Sequence, residues 1–251
     1  MKKALLSLLI AILPFQATAA DLGPSLKDEV IHDVPASRWS GCYLGANIGA
    51  GWQHAATTYF DHEHGPSDNG SHTGSGAVGG GQIGCDLQRG RFVIGVQGMF
   101  NAAGIDGSNT VPDFPENTVT SDANWFASVT GRLGVTLRPD TLLYAKGGVA
   151  WTDNDFSDVC YAGGTQCDTD NNGNFAAFGS NTATGWIVGG GIEHAWTDSW
   201  SMFIEYNYLN FGNDRTTLTD TLAGFDDEPT WQSSHDLEQH LLLVGLNYKF
   251  R

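Results

Sequence analysis

The sequence has few positive charges and, beyond its start, no long apolar run. Only 12 of its 251 residues are Lys or Arg, against 28 Asp or Glu, and the formal net charge is −16. Nucleic-acid binding needs clustered Lys and Arg that neutralise phosphates, so this partner is excluded. After residue 20 no apolar run reaches 18 residues, which excludes a transmembrane helix. Glycine is frequent, with 33 residues, while charged residues make up only 16%.

The first 20 residues predict a secretory signal peptide. Lys2 and Lys3 provide a basic start, residues 4–13 are apolar, and residues 17–20 are small, as at a cleavage site. Residues 21–38 follow as a periplasmic N-terminal tail with two prolines and mixed charges. We assign residues 39–251 to one further domain.

From Trp39 onward, apolar residues alternate with small or polar residues. A period of two predicts β-strands with one apolar face, whereas a helix repeats every 3.6 residues. The pattern predicts eight strands, at about residues 41–52, 75–87, 92–102, 125–137, 142–151, 185–196, 200–210 and 240–250.

The connections between these strands alternate in length. Three are tight turns, at residues 88–90, 138–140 and 197–199. Four are about twenty residues or longer, at about residues 53–74, 103–123, 152–183 and 212–236. We therefore predict an all-β fold: an eight-stranded antiparallel up-and-down transmembrane β-barrel with short periplasmic turns and four long extracellular loops.

The strand face that carries small or polar residues, opposite the apolar face, also carries the charges. Arg132 and Lys146 lie on neighbouring strands, as do Glu193 and Glu205. Charged groups are costly in lipid, so this face is predicted to line the lumen. Eight strands enclose an interior that side chains just fill. We interpret the four residues as a structural salt-bridge network, because buried charges must be paired; a gated cluster in a narrow conduit is the functional alternative.

The apolar face ends in aromatic residues, which predict two girdles at the membrane surfaces. One girdle lies at the loop ends and contains Trp52, Trp125, Trp151 and Trp186. The other lies at the turn ends and contains Trp39, Trp196, Trp200, Tyr248 and Phe250.

The four cysteines of this exported chain predict two disulfides. Antiparallel pairing brings Cys42 and Cys85 to the periplasmic rim on the same lipid-facing side. Cys160 and Cys167 share one long loop. Of the three possible connectivities we favour these two pairs. A metal site is disfavoured, since there is no CxxC spacing.

Several strand motifs occur in an order that resembles a known family. They are Trp39 to Gly49, Gly131 to Gly134, Glu205-Tyr206, Gly185 to Glu193 and Val244 to Phe250. Together they resemble the small porin-family outer-membrane proteins of rhizobia and related bacteria, which have an OmpA-like eight-stranded domain. The resemblance implies an abundant surface protein that stabilises the outer membrane, with haem binding in some relatives. Leu243 departs from the polar interior residue expected there.

Three weaker patterns were considered for ligand binding or catalysis. His54, His62, His64 and His72 lie in one predicted loop and form a low-ranking haem or metal hypothesis. The run from Asp168 to Gly173 opens like a calcium loop, but its twelfth position is Gly179 instead of Glu. An enzyme would start from His194 or from His235 beside Ser233 and Ser234, yet no GxSxG motif is present.

We therefore expect a structural, surface-exposed, non-enzymatic barrel of the cell outer membrane, without cofactor or assigned metal. It would contribute to envelope integrity and to contact with the host or environment, and would be a surface antigen. The alternatives are a small-solute porin or haem-binding barrel, and a lipid-modifying enzyme. The predicted loops carry 18 acidic residues and one basic residue, Arg215. Expected partners are lipid, lipopolysaccharide reached through divalent cations, and the barrel-assembly machinery, with the chain monomeric or weakly oligomeric.

Overall fold

The computed structural model describes residues 38–61, 65–111, 114–160, 175–220 and 231–250. The predicted signal peptide and most of the predicted tail lie outside these residues. Eight long strands account for nearly all of the described chain: β1 (Gly41–Asp61), β2 (Gly65–Arg89), β3 (Phe92–Val111), β4 (Phe114–Arg138), β5 (Thr141–Cys160), β6 (Phe175–Ala195), β7 (Trp200–Asp220) and β8 (Trp231–Phe250). No described helix is long and apolar enough to span a membrane.

Each strand pairs antiparallel with the next, and β1 pairs with β8 to close the barrel. The closing register places Cys42 opposite Phe250 and Gly51 opposite Leu241. In the lipid-facing part closure leaves no free sheet edge, so the backbone hydrogen bonds are satisfied between strands, as a membrane requires. Farther toward the loops, the β6–β7 pairing is interrupted between Phe178 and Trp186. The predicted eight-stranded up-and-down barrel is confirmed.

The two ends of the barrel differ. The turn end carries the three short connections, the first residue of β1, Gly41, and the last residue of β8, Phe250. Gly90 occupies the β2–β3 turn with a φ of 62°, a left-handed conformation that glycine adopts without steric cost. The opposite end is called the extended end. It consists of the described strand residues that lie farther from the turns than Trp52, Trp125, Trp151 and Trp186.

Near the turn end, burial alternates as the sequence predicts. Apolar side chains on the outer face are more than half exposed, among them Ile48, Ile83, Val96 and Leu133. Their inward neighbours are buried, including Asn47, Gln82 and Arg132. An apolar outside around a polar inside is the pattern of a membrane barrel and the reverse of a soluble one.

The strands are longer than predicted. They contain 20 to 25 residues, whereas a tilted transmembrane strand needs about 9–11. Most residues of the four predicted loops therefore belong to strands that continue past the aromatic girdle. The alternation fades there because the outer face is polar, with residues such as Asp106, Asp155 and Thr182. The pattern of apolar residues could locate only the portion of each strand that faces lipid.

The assignment of Trp39 to the girdle at the turn end was wrong. Its side chain is 1% exposed and packs inside the barrel mouth with Val93, Leu142, Tyr144 and Ala195, a group called the mouth cluster. Trp39 precedes β1, so the alternation of the strand does not predict where it points. Trp196, Trp200, Tyr248 and Phe250 do lie on the outer surface.

The interior is layered along the barrel axis. Beyond the mouth cluster lies a charged layer, defined by Asp86, Arg132, Lys146, Glu193 and Glu205. An apolar layer follows toward the extended end, and contains Met99, Ile105, Phe126, Ile187, Leu209, Leu241 and Leu243. Leu243, which departed from the expected polar residue, belongs to this layer and is fully buried.

Candidate functional site

Arg132 on β4 is the centre of the charged layer. Its Nη2 pairs with Glu193 of β6 at short distance, and its Nη1 lies 3.2 Å from Oδ2 of Asp86 on β2. The guanidinium also lies 3.7 Å from the centre of the Tyr144 ring and 6.0 Å from that of Tyr43. Two carboxylates and two aromatic rings therefore surround a cation that is 1% exposed.

Lys146 on β5 forms a second ion pair. Its Nζ lies 2.6 Å from Glu205 Oε1 of β7 and donates to Gln97 Oε1 at 3.0 Å. Glu205 also accepts hydrogen bonds from Tyr144 at 2.7 Å and from Asn207 at 2.8 Å. Tyr144 contacts both Arg132 and Glu205, so it joins the two ion pairs.

Neutral side chains complete the coordination of Glu193 and extend the network across the lumen. Glu193 Oε1 accepts hydrogen bonds from Ser201 at 2.5 Å and Asn247 at 3.0 Å. Asn247 Oδ1 accepts one from Gln82, whose own oxygen accepts one from Asn47 at 2.8 Å. The carboxylates are thus held in place from several strands, which rigidifies a polar core.

All four predicted network residues therefore meet, as two ion pairs that each span the lumen. The alternation of Asp86 with Cys85 and Leu87 predicts that Asp86 lies on the inward face, but it does not predict the pairing with Arg132. Sequence periodicity shows which face a residue occupies; it does not show which side chain lies opposite across the lumen. The aromatic contacts of Tyr43 and Tyr144 were missed for the same reason.

This arrangement stabilises buried charge. Lys249, also buried, donates to the carbonyls of Trp39 at 3.0 Å and Arg38 at 3.4 Å. With Lys249 included, three cations face the three carboxylates of the charged layer. Buried charges persist only when paired and hydrogen-bonded. The five charged side chains of the layer are paired, although Asp86 Oδ1 and Arg132 Nε have no hydrogen-bond partner among the described residues.

Of the four histidines of the first predicted loop, the two that the structure describes lie on opposite faces of the barrel wall. His54 is exposed on the outer face. His72 is buried in the lumen, where its ring nitrogens lie 2.8 Å from Asn109 Oδ1 and 2.6 Å from Ser121 Oγ. His62 and His64 lie outside the described residues. No group of three or more metal-ligating side chains occurs in the described part of the chain.

Three of the four starting points for an enzyme are engaged in other contacts, and the buried Ser233 Oγ has no hydrogen-bond partner among the described residues. His235 is buried, its Nδ1 lies 3.2 Å from Thr57 Oγ1, and its ring stacks on Phe156 at 3.8 Å between centroids. Ser234 donates to Asn213 at short distance. His194 on the outer surface pairs with Thr141 at 3.2 Å. The calcium-loop run, Asp168 to Gly173, lies outside the described residues.

His235 makes stability depend on pH. Burial and, to a smaller extent, the nearby His72 together lower the pKa of His235 to about 4. In the unfolded chain the His235 side chain therefore binds a proton near pH 6.5, whereas in the folded chain it stays neutral at that pH. Stability should fall as pH drops from 6.5 toward 4, by about 3 kcal/mol in total, and this loss should vanish above pH 6.5.

Urea unfolding of the refolded barrel at pH 7.5 and pH 5 measures this loss. The variant His235→Gln should lose most of the pH dependence in this window, whereas the exposed control His54→Gln should keep it. An unchanged pH dependence in His235→Gln would show that other groups cause it.

Cys42 and Cys85 form a disulfide, which joins β1 and β2 next to the turn end. The paired residues are direct register partners on the outer face, as predicted. The other predicted pair, Cys160 with Cys167, lies outside the described side chains. The bond closes a chain segment with a sequence separation of 43 residues.

Reduction of this disulfide should lower the free energy of unfolding by about 2–4 kcal/mol, because the unfolded chain gains freedom. The test uses the background Cys160→Ser/Cys167→Ser, in which Cys42–Cys85 is the remaining pair. Urea midpoints with and without reductant give the effect. A variant that also carries Cys42→Ser and Cys85→Ser should not respond to reductant, and an equal response in both proteins would refute the assignment.

Comparison with known proteins assigns the barrel to a family. The family model described as "Outer membrane protein beta-barrel domain" matches residues 5–250. The chain belongs to this family. Its members and named relatives place it in the outer membrane, so the turn end faces the periplasm and the extended end faces outward. The resemblance found in the sequence is confirmed.

Two relatives and one solved structure illustrate the similarity. The chain is 29% identical over 262 residues to the 31 kDa outer-membrane immunogenic protein of Brucella melitensis biotype 1, covering 100% of both chains. It is 31% identical over 177 residues to the 22 kDa outer membrane protein of Rhizobium leguminosarum bv. viciae, covering 70% of this chain and 66% of the relative. The outer membrane protease OmpT of Escherichia coli shares the fold, with a TM-score of 0.50, 10% identity, and coverage of 84% and 97%.

Proposed function

We propose that this family member is a structural, surface-exposed, non-enzymatic protein that contributes to the integrity of the outer membrane and carries a contact surface at its extended end. The observation that carries the proposal is the filled interior. Across the described strands, the mouth cluster, the charged layer and the apolar layer succeed one another with buried side chains. Such an interior suits a rigid membrane element better than a conduit.

Side-chain contacts across the lumen support a permanent filling. Beyond the apolar layer, Gln239 of β8 reaches across the lumen to Thr152 of β5 at 3.4 Å, and it also donates to its register partner Gln53 of β1 at 2.6 Å. Arg132 and Lys146 reach carboxylates on other strands within the charged layer. A solute path would have to break these contacts and expose unpaired buried charges, which is costly.

A row of aspartates suggests how the barrel binds lipopolysaccharide. Asp106, Asp122 and Asp155 are direct register partners on β3, β4 and β5, next to the girdle residues Trp125 and Trp151. Like charges that lie directly opposite each other repel. Burial, together with Asp106 and Asp155, raises the pKa of Asp122. The three carboxylates do not form a metal site by themselves. We propose that divalent cations relieve the repulsion by bridging individual carboxylates of the row to the phosphates of lipopolysaccharide.

A strain of the source bacterium that lacks the protein tests the proposed role. We expect greater uptake of a hydrophobic fluorescent dye and greater sensitivity to detergent, both restored by the wild-type chain. The variant Asp106→Asn/Asp122→Asn/Asp155→Asn should assemble but restore Mg²⁺-dependent resistance incompletely. Asp236→Asn/Glu238→Gln, on β8, is the matched control. Unchanged envelope permeability in the deletion strain would overturn the proposed role.

A further inference from the structure

The residues that precede β1 cross the mouth of the barrel at its turn end. Trp39 is buried to 1% exposure, although it lies outside every strand. It packs with Val93 of β3, Leu142 and Tyr144 of β5, and Ala195 of β6. The mouth cluster therefore joins one residue that precedes β1 with residues from three strands, at the opening that they surround.

Polar contacts tie the neighbours of Trp39 to the rim of the mouth. The Trp39 backbone N–H donates to Gln88 Oε1 at 3.0 Å, and the backbone N–H of Gln88 donates to Ser40 Oγ at 2.9 Å. Arg38 lies 3.3 Å from Asp198 in the β6–β7 turn and donates to the carbonyl of Ala195.

Lys249 holds the same residues from β8. Its Nζ donates to the Trp39 carbonyl at 3.0 Å and lies 5.0 Å from the centre of the Trp39 ring. The tethers thus come from β2, β8 and the β6–β7 turn, which lie around the mouth.

The Trp39 ring is held by packing. Its Nε1–H is buried and has no hydrogen-bond partner among the described residues, whereas a buried indole N–H usually finds one. The tethers to Arg38 include a salt bridge whose Asp198 side chain is 64% exposed, so solvent and salt weaken it. These contacts fit a closure that opens locally while the strand ladder stays intact.

We propose that residues 38–40 form a latch, with Trp39 as the plug that shields the charged layer from periplasmic water. When the latch is closed, Tyr144 lies between Trp39 and two ion pairs, one that contains Arg132 and one that contains Glu205. Release of Trp39 admits water and small ions to the mouth cluster first and to Asp86 and Arg132 next. This inference does not depend on the proposed envelope function.

The latch is tested by the reactivity of a cysteine placed behind it. Val93→Cys, in the background Cys160→Ser/Cys167→Ser, puts a thiol in the mouth cluster. A charged, membrane-impermeant methanethiosulfonate is the probe, applied to refolded oxidised protein in detergent. Pro139→Cys, at an exposed position of the β4–β5 turn, reports the unhindered rate. Heat-modifiable migration in gel electrophoresis verifies that each barrel is closed.

Trp39→Ala should raise the rate of Val93→Cys labelling at least about tenfold, because buried thiols react through local opening. Trp39→Phe should keep most of the protection, and Trp200→Ala, which removes a lipid-facing tryptophan at the same end, should change nothing. If Trp39→Ala does not refold, Arg38→Gln/Lys249→Met removes two tethers, and the same increase is expected. An unchanged labelling rate in a folded variant overturns the proposal, since the plug would then not control access.

Discussion

Replacing Arg132 with Met should lower the free energy of unfolding by about 3–5 kcal/mol, because it leaves buried carboxylates without their cation. Glu193 and Asp86 both pair with this guanidinium, and each side chain is at most 2% exposed. The expected loss exceeds the intrinsic contribution of the ion pair, since the variant also leaves the desolvation of both acids uncompensated. Urea unfolding in lipid vesicles, followed by tryptophan fluorescence, measures the change.

Two further variants separate this effect from a general loss of charge. Arg138→Met removes a cation from an exposed position at the turn end and should cost less than about 0.5 kcal/mol. Arg132→Met/Glu193→Gln removes both charges of the closest pair and should recover part of the loss. If Arg132→Met were as stable as Arg138→Met, the charged layer would not stabilise the barrel.

Replacing Gly148 with Val should prevent the barrel from closing or destabilise it by more than about 3 kcal/mol, the upper range for overpacking. A Cβ at this inward position would lie 2.0 Å from the carbonyl oxygen of Val129 and 2.8 Å from Cα of Thr130. Both atoms belong to the backbone of β4, so a side-chain rotation cannot relieve the clash. The fraction of heat-modifiable protein after refolding measures the effect.

Gly131 provides the matched control for Gly148. It lies on the outer face of β4, and a Cβ there meets only the Gly147 carbonyl oxygen at 4.0 Å. Gly131→Val should therefore refold with wild-type yield, because its side chain extends toward lipid. Equal refolding of Gly148→Val and Gly131→Val would contradict the close strand approach inside the barrel.

Much of the lipid-facing barrel could be predicted from the sequence. Alternation of period two assigned Arg132, Lys146, Glu193 and Glu205 to the interior, because membrane barrels separate apolar and polar residues between two faces. The extended end could not be bounded in the same way. The outer face of its strands is polar, as at Asp155, and the buried face mixes polar side chains such as Asn154 with apolar ones such as Phe156, so hydropathy does not alternate regularly there.

The contacts across the lumen could not be predicted from the sequence. Asp86 was known to point inward, but which strand it faces depends on the tilt and stagger of the closed barrel. Trp39 was misplaced because it lies outside the strands, where periodicity gives no direction. The register partners Cys42 and Cys85 were found, since antiparallel pairing of consecutive strands determines their distance without reference to the lumen.

Single-channel recording of the refolded protein in a planar bilayer tests the filled interior most directly. Heat-modifiable migration first establishes that the barrel is closed. The buried mouth cluster, charged layer and apolar layer predict no steady conductance from the folded protein. Reproducible channels of uniform conductance would contradict the filled interior and assign the protein a transport role.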